Sequence, residues 1–247
     1  MDAEVDAARK AAGPDGVLAV RGLARSFGHV RALRGVSFTL QRGDALAVFG
    51  PNGAGKSTLL RLLAGVLRAE RGEILMDGAP LVRGDASIRG RIGFISHASL
   101  LYDGLTAAEN LVFYARLYGL ADPRGRATRA LDGAGLADRA GSLVCTMSRG
   151  MQQRLAIARA LLHDPDIVLL DEPFTGLDQR AAGSLRDQLA RLRAERRTVV
   201  LVTHNMDEGL DLATHVAIQV AGRFAECGPR TLDLTGYRDR YLEATGG

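Results

Sequence analysis

Cysteine and lysine are scarce in this sequence, and each scarcity excludes a class of protein. The 247 residues include two cysteines, Cys145 and Cys227, and no tryptophan. Two cysteines are too few for a secreted disulfide framework and lack the spacing of a metal site, so we expect free thiols in a reducing compartment. Only Lys10 and Lys56 are lysine. The Asn-Lys-x-Asp pattern with which GTPases recognise guanine is therefore absent.

Long hydrophobic runs are absent as well. No run approaches the roughly 18 apolar residues of a membrane span, and residues 1–10 lack the apolar core of a signal peptide. These features predict a cytoplasmic chain. The 32 basic and 28 acidic residues give a net charge of +4. Because this surplus is mild and contains no dense basic run, we expect no nucleic-acid partner.

The composition that remains, 47% apolar and 24% charged, is that of a globular protein. Residues 1–16 are predicted to be a flexible extension. From residue 17 short apolar runs alternate with helical patterns, which predicts an α/β fold. Three runs have the composition of central parallel strands, Ala45–Phe49, Ile167–Asp171 and Val199–Thr203. Other elements are predicted as strands at Leu18–Val20, Ser37–Leu40, Glu73–Met76, Ile92–Ile95, His215–Val220 and Phe224–Cys227, and as helices at Lys56–Leu67, Arg149–Leu162 and Ser184–Arg197.

Helical patterns replace strands between about residues 98 and 162. Thr106 and Glu109 have the spacing of a capping box, which predicts the start of a helix running toward Tyr118. A second helix is expected after Pro123. We therefore predict a single domain over residues 17–230 that carries a helical subdomain as an insert. Residues 231–247 are expected to form a short helical tail, with its helix near Tyr237–Ala244.

The segment Gly50–Thr58 matches G-x-x-x-x-G-K-[ST] at every fixed position, between an apolar strand and a helix. Glycines allow successive N–H groups to face one concavity, and the helix N-terminus adds positive partial charge. Lys56 would interact with the β- and γ-phosphates, and the Ser57 hydroxyl would bind Mg²⁺. The alternative is a glycine-rich turn that only caps the helix. The predicted nucleotide-binding residues are Gly50, Pro51, Asn52, Gly53, Ala54, Gly55, Lys56, Ser57 and Thr58.

Two acidic residues end the apolar strand at 167–171. Beside a phosphate loop, Asp171 is predicted to bind Mg²⁺ through its water shell. Glu172 is predicted to accept a proton from the water that attacks the γ-phosphate. The alternative is a helix cap next to Pro173. His204, at the end of another apolar run, is expected to contact the γ-phosphate, although a lone histidine there is more often structural.

The segment Met147–Arg154 precedes an apolar helix and the acidic strand, and this order resembles the ATP-binding-cassette (ABC) ATPases over about residues 17–230. Ser148 and Gly150 match the family's LSGGQ signature, whereas Arg149 and Met151 stand where Gly and Gln are usual. The resemblance implies that these residues reach the γ-phosphate held by a second copy of the chain. We expect Arg149 to face phosphate or an acidic group across that dimer, because arginine in a helix's first turn opposes the dipole.

The resemblance implies a fold and three further roles. The fold is an α/β P-loop NTPase of the ABC ATPase type, with a mixed sheet, a RecA-like core, an antiparallel β-subdomain and a helical subdomain insert. Thr175–Asp178 resembles the D-loop, so Asp178 would lie along the dimer seam. Phe27 matches the aromatic residue that stacks on adenine, although it could equally belong to the core. His97 stands where most members carry the Q-loop glutamine, and its imidazole can accept a hydrogen bond from Mg²⁺-bound water.

Several segments resemble one subfamily of the ABC ATPases in particular. His97, Glu109–Tyr118, Ser148–Arg154 and Asp171–Asp178 together look like the haem-exporter ATP-binding subunit of cytochrome c maturation. This similarity implies ATP and Mg²⁺ as cofactors, and integral membrane subunits as partners at the cytoplasmic face of the inner membrane. The membrane contact would involve residues His97–Leu105 and the helical insert, although Leu100–Tyr102 could equally be an internal packing loop. An exporter of drugs, lipids or polysaccharides would also fit, and so, less well, would a soluble ABC ATPase that acts on nucleic acid or ribosomes.

Overall fold

The computed structural model describes residues 16–82, 84–85, 90–96 and 99–246. The predicted extension therefore lies outside the described residues except for Gly16, and so does His97. Within the described residues the strands are β1 Gly16–Phe27, β2 Val30–Gln41, β3 Ala45–Phe49, β4 Arg71–Met76, β5 Ala79–Pro80, β6 Ile92–Ile95, β7 Ile167–Asp171, β8 Thr198–Val202, β9 His215–Val220 and β10 Arg223–Pro229. The helices are α1 Lys56–Leu63, α2 Ala107–Leu117, α3 Pro123–Gly133, α4 Arg149–Leu161, α5 Gln179–Ala194, α6 Met206–Leu212 and α7 Leu234–Thr245. None of the helices in these ranges has the length and apolarity of a membrane span.

A six-stranded sheet in the order β10-β9-β3-β8-β7-β6 forms the centre of the molecule. Its pairs are parallel except for β10, which runs antiparallel to β9. Every residue of β3, β7 and β8 is buried, because helices cover both faces. Leu169 and Val200 face the core cluster of α1, whereas Val168 and Leu201 face the cluster of α4 and α5. The long apolar strands of the sequence therefore lie at the centre of the sheet, as their composition predicts.

A second sheet, β2-β1-β4-β5, is antiparallel throughout. Its buried residues, among them Leu18, Leu23 and Leu33, join the core cluster that α1 forms with the central sheet. The helix that follows the phosphate loop is therefore packed between two sheets. The mixed sheet, the antiparallel sheet and the helices between β6 and β7 together confirm the predicted fold class.

Helices α2, α3 and α4 form a separate apolar cluster around Leu111, Leu131 and Leu155. The predicted capping box is present: the Glu109 N–H donates to Thr106 Oγ1 at 3.2 Å, and the Thr106 N–H donates to Glu109 Oε2 at 2.8 Å. These helices are attached to the central sheet through a buried cation, since Arg159 of α4 donates to the Phe94 carbonyl of β6 at 2.8 Å.

An ionic cluster joins the two sheets at the edge opposite the carboxyl ends of the parallel strands. Asp77, in the β4–β5 turn, accepts hydrogen bonds from Arg42 at 2.9 Å and from Arg91. Arg91 also bonds Asp166 at 2.7 Å, and Arg197 approaches Asp166 at 3.3 Å. Burial alone would raise the pKa of the Asp77 carboxyl, but the hydrogen bonds and charges of Arg91 and Arg42 outweigh burial and hold that pKa below its ordinary value.

Several elements differ in length from the sequence predictions. β1 and β2 each span 12 residues rather than three or four, because their outer halves pair with each other where one face is exposed and apolar residues are sparse. α5 begins at Gln179 instead of Ser184, since Asp178 caps it. Helix α6 was not predicted from the sequence. Its Gly209 weakens a helical pattern, yet a Cβ at that position would lie 2.7 Å from the Phe49 ring, so glycine allows α6 to pack on β3.

Candidate active site

The phosphate loop connects β3 to α1 and is held between two strands. Gly50 and Gly55 have φ angles of 158° and 101°. A Cβ at Gly50 would lie 2.1 Å from the Gln219 carbonyl oxygen, and one at Gly55 would lie 2.1 Å from the Ala32 carbonyl oxygen. Glycine is therefore required at both positions by close backbone approach. The backbone of the segment is therefore held from both sides, by β2 and β9.

Lys56 begins α1, and its ammonium group folds back onto the loop. Lys56 Nζ donates to the carbonyl oxygens of Gly50 at 2.7 Å and Pro51 at 3.0 Å. Burial lowers the pKa of this ammonium, while the charges of Glu172 and Asp171 oppose that effect. The first turn of α1 contains no acidic residue. The loop therefore presents a cation and a helix N-terminus, both of which favour an anion.

Asp171 ends β7 beside the start of α1. The Ser57 hydroxyl donates a hydrogen bond to the Asp171 carboxylate, which favours its charged form, but burial is the larger effect and raises the pKa of Asp171. The described residues contain no cluster of three His, Cys, Asp or Glu side chains of the kind that encloses a metal ion. Ser57 and Asp171 nevertheless offer adjacent oxygen ligands, which fits Mg²⁺ because that ion commonly keeps several of its waters.

Glu172 and His204 come together from the ends of the neighbouring strands β7 and β8. The carboxylate Oε2 of Glu172 lies 2.8 Å from His204 Nδ1 and accepts a bond from the His204 backbone N–H at 3.3 Å. Glu172 has a φ of 50°, in the left-handed region, and its N–H donates to the Val202 carbonyl at 2.8 Å. The residue therefore does not extend β7, and a three-point attachment to the end of β8 places its carboxylate.

The signature segment begins α4. Ser148 is the N-cap, and its Oγ accepts a hydrogen bond from the Met151 N–H at 3.3 Å. The first turn of α4 contains Arg149 and Gly150 and no acidic residue. Asp178 caps α5 by accepting from the Ala181 N–H at 2.8 Å. The two caps border a common open cleft of about 560 Å³, lined by Asp132, Gly133, Ala134, Gly135, Ser148, Gly150, Met151, Arg154, Asp178, Ala181 and Ser184.

Two other predicted residues have different outcomes. Phe27 ends β1 and is 45% exposed, with the Arg25 guanidinium 5.1 Å from its ring centroid. Its exposure excludes the interpretation that Phe27 belongs to the core. His97 lies outside the described residues, so its proposed contact with metal-bound water stays a prediction.

One polar residue at this site was not predicted from the sequence. Gln219 is fully buried in β9, and its side chain donates to the Ala54 carbonyl of the phosphate loop at 3.0 Å. The available signal was a glutamine within an otherwise apolar run, which is unusual because a buried amide requires a hydrogen-bonding partner.

Comparison with known proteins shows the family of the chain. The profile described as "ABC transporter" matches residues 33–175, and one described as an AAA domain matches residues 143–211. The chain is 41% identical in sequence to ABC transporter ATP-binding protein NatA of Bacillus subtilis (strain 168). The alignment covers 72% of this chain and 74% of NatA. The chain is 35% identical to Nod factor export ATP-binding protein I of Paraburkholderia xenovorans (strain LB400), over 89% of this chain and 73% of that protein.

A solved structure gives the same result at the level of the fold. A dimeric ATP-binding cassette in a post-hydrolysis state, bound to ADP and Pi, superposes with a TM-score of 0.79 at 28% identity. The superposition covers 87% of this chain and all of that one. The phosphate loop (P-loop, Gly50–Thr58), the acidic strand end and the signature segment thus occur in a fold that is shared with an ATP-binding cassette. The chain belongs to the ABC transporter family, as an ATP-binding subunit that hydrolyses ATP.

Proposed function

We propose that ATP is hydrolysed at the carboxyl ends of β3, β7 and β8, with the γ-phosphate between the P-loop and the Glu172–His204 pair. The observation that carries this proposal is the 2.8 Å contact between Glu172 and His204 beside the phosphate loop. Lys56 binds the β- and γ-phosphates as a point charge, and the N–H groups of Gly50–Thr58 bind their oxygens. Phe27, exposed at the end of β1, stacks on the adenine ring.

Glu172 acts as the general base of the reaction. Its carboxylate accepts the proton of the water that attacks the γ-phosphate, and His204 holds that carboxylate while its exposed ring is available to the phosphate. Ser57 and Asp171 would hold Mg²⁺, which supplies charge neutralisation to the phosphate oxygens when bound. A positioned general base typically contributes about 10²–10⁴-fold to the rate.

The active species is a head-to-tail dimer with two ATP molecules between the subunits. The similar cassette bound to ADP and Pi is dimeric, which supports this arrangement. Ser148 and Gly150 present the N-terminus of α4, a second anion-binding helix end, and reach the γ-phosphate on the other subunit. Arg149 and Met151 flank that contact, with Arg149 facing phosphate or an acidic group across the dimer, and Asp178 lies along the seam.

A membrane subunit is the second partner. Tyr102, Phe113 and Leu117 are large apolar residues with exposed side chains, and Tyr102 and Phe113 pack edge to face 5.1 Å apart. Phe113 also borders a largely apolar cleft of about 600 Å³ between α2 and α3. An integral membrane subunit that inserts a helical segment here would receive the motion that ATP binding causes, and the chain would then lie at the cytoplasmic face of the inner membrane.

Export is the transport direction that we propose. The name of the Nod factor export protein supports it, since that relative aligns over most of both chains. A haem-export role in cytochrome c maturation is a second candidate, supported by the resemblance of Glu109–Tyr118 and Ser148–Arg154. The cargo could equally be a drug, a lipid or a polysaccharide, and the last candidate is an ATPase that drives no transport. Co-purification in detergent with a hydrophobic partner would favour transport, whereas nuclease-sensitive association would favour an ATPase that acts on nucleic acid or ribosomes.

Glu172→Gln tests the proposed chemistry. This variant should bind ATP with unchanged affinity and hydrolyse it at least about 10²-fold more slowly, because the amide cannot accept the proton. Glu195→Gln, the same change at an exposed position after α5, is the control and should be fully active. Phosphate release at saturating ATP measures the rate. Near-normal turnover by Glu172→Gln would remove Glu172 from its proposed role.

A further inference from the structure

Gln219 is the buried polar residue of β9, the strand that pairs with β3 beside the phosphate loop. It is fully buried, as are its neighbours Ala217 and Ile218, so its amide does not reach bulk water. Its Nε2 donates to the Ala54 carbonyl at 3.0 Å, across 165 residues of sequence. Burial of an amide disfavours folding unless hydrogen bonds compensate. The hydrogen bond to the Ala54 carbonyl is therefore the interaction that compensates for burying the Gln219 amide.

The Ala54 carbonyl is held by a second bond from the same hairpin. The Gly222 N–H, in the turn between β9 and β10, donates to it at 3.0 Å. The Gly222 carbonyl in turn accepts from the Arg34 N–H of β2 at 2.8 Å. Two donors therefore fix the direction of one loop carbonyl, and both belong to an element outside the phosphate-loop motif.

This direction decides where a neighbouring N–H group points. The peptide between Ala54 and Gly55 is trans. Because a trans peptide is planar, its C=O and N–H point in opposite directions. Because the carbonyl faces β9, the Gly55 N–H faces away from β9. The β2 side of Gly55 is filled by the Ala32 carbonyl. The Gly55 N–H is thereby directed to the open side of the loop, where a phosphate oxygen would accept from it.

We propose that Gln219 is a positioning residue for the triphosphate of ATP, acting through the Ala54 carbonyl on the Gly55 N–H. This inference rests on the proposed phosphate-binding role of Gly50–Thr58. Gln219 touches no reacting atom. It restricts the peptide between Ala54 and Gly55 to the orientation that binds phosphate, so that the loop does not have to reorganise when ATP arrives.

A second observation separates this role from a structural one. Gln219 Oε1 is buried and accepts no hydrogen bond from the described residues. A methionine, with nearly the same length and no amide, would avoid burying that oxygen, and the Ala54 carbonyl would keep the bond from Gly222. Gln219→Met should therefore leave thermal stability unchanged or raise it, while it weakens ATP binding. A residue that serves only folding would show the opposite pattern.

Titration calorimetry with ATP and Mg²⁺ tests the proposal in the Glu172→Gln background, where hydrolysis does not interfere. Gln219→Met should raise the Kd for ATP about fivefold, the loss expected for one net hydrogen bond. In the active chain it should raise KM with little change in kcat. Val216→Ala, which shortens another buried residue of β9 that packs toward Phe49 and Tyr237, is the matched control: it should lower the melting temperature and leave the Kd unchanged.

An unchanged Kd in Gln219→Met overturns the inference. If the melting temperature also falls, as expected for Val216→Ala, Gln219 serves only folding. Lys56→Ala is the reference: if it binds ATP normally, the proposed phosphate cradle itself is wrong, whereas its failure to bind with an unchanged Gln219→Met rejects only the role of Gln219.

A measurement on the unaltered chain covers the case in which Gln219→Met does not fold. In ¹⁵N–¹H spectra the side-chain N–H₂ signals of Gln219 should exchange slowly with solvent and shift when ATP is added. Signals that exchange rapidly, or that ATP leaves in place, would overturn the proposal.

Discussion

At the scale of single residues, Glu172 and His204 show how the ends of two neighbouring strands bring two polar side chains into contact. Neither side chain is unusual in its own segment of sequence. Parallel pairing of β7 with β8 places them side by side, and a left-handed backbone at Glu172 turns its carboxylate toward His204 Nδ1. We expect the orientation of Glu172 to depend on this contact.

His204→Ala tests that dependence. The variant keeps the bond from the His204 backbone N–H but loses the ring, so the carboxylate is held less firmly. Hydrogen bonds to charged groups contribute about 1.5–3 kcal/mol, so kcat should fall at least about tenfold while the Kd for ATP changes little. Steady-state hydrolysis and equilibrium binding measure the two quantities. His204→Gln, which can still donate to Glu172, should retain more activity, and equal turnover in all three chains would contradict the proposal.

At the scale of elements, the apolar composition of a strand predicts well which strands lie at the centre of the sheet. β3, β6, β7 and β9 have the predicted bounds because each is a short run of mostly apolar residues. The outer parts of β1 and β2 contain Arg21, Arg25, Arg31 and Arg34, whose pairing depends on the partner strand and not on local composition. Gln219 could not be assigned from the sequence, since its partner, Ala54, is distant along the chain and offers only a carbonyl. The capping box and the P-loop were predictable because each is specified within a few consecutive residues.

Asp77→Asn tests the ionic cluster that joins the two sheets. Asparagine tolerates the left-handed φ of 46° at this turn, so the change removes charge without strain. At neutral pH the variant should be less stable by about 1 kcal/mol, because a partly exposed ion network contributes little more. Urea unfolding measures the difference, and Asp138→Asn, at an exposed position outside the cluster, is the control.

The direction of the pKa shift of Asp77 determines how its contribution to stability changes with pH. The folded-state pKa of Asp77 is lower than its ordinary value of 3.8, so the stabilisation is fully present above that ordinary value. It is lost as the pH falls through the depressed folded-state pKa. The difference in unfolding free energy between the unaltered chain and Asp77→Asn should therefore shrink in acid. A difference that persists or grows at low pH would show that Asp77 stabilises the turn by something other than its charge.

At the scale of the whole molecule, the two helix ends that we propose to bind phosphate belong to different parts of the fold. The N-terminus of α1 follows the central strand β3, whereas the N-terminus of α4 belongs to the helical region. Arg159 of α4 is hydrogen-bonded to β6. A displacement of the helical region would therefore also move β6. A dimer that joins the P-loop of one subunit to the signature of the other would therefore couple ATP to the position of the helices.

Complementation between two defective chains tests the dimer. Lys56→Ala lacks a working P-loop, and Ser148→Arg blocks the signature, so each should be inactive alone. In a mixture, the heterodimer contains one site with the intact P-loop of the second chain and the intact signature of the first. We expect the mixture to regain partial ATPase activity that rises with concentration. A mixture as inactive as its components, with folding confirmed by circular dichroism, would contradict composite sites.

The burial of Lys56 has a practical consequence for anyone who modifies this protein. Lysine occurs at only two positions, and the ammonium of Lys56 is enclosed by the carbonyls of Gly50 and Pro51. Reagents that acylate amines should therefore react slowly with Lys56. Dyes, cross-linkers and solid supports attached through amines should then leave this loop unmodified.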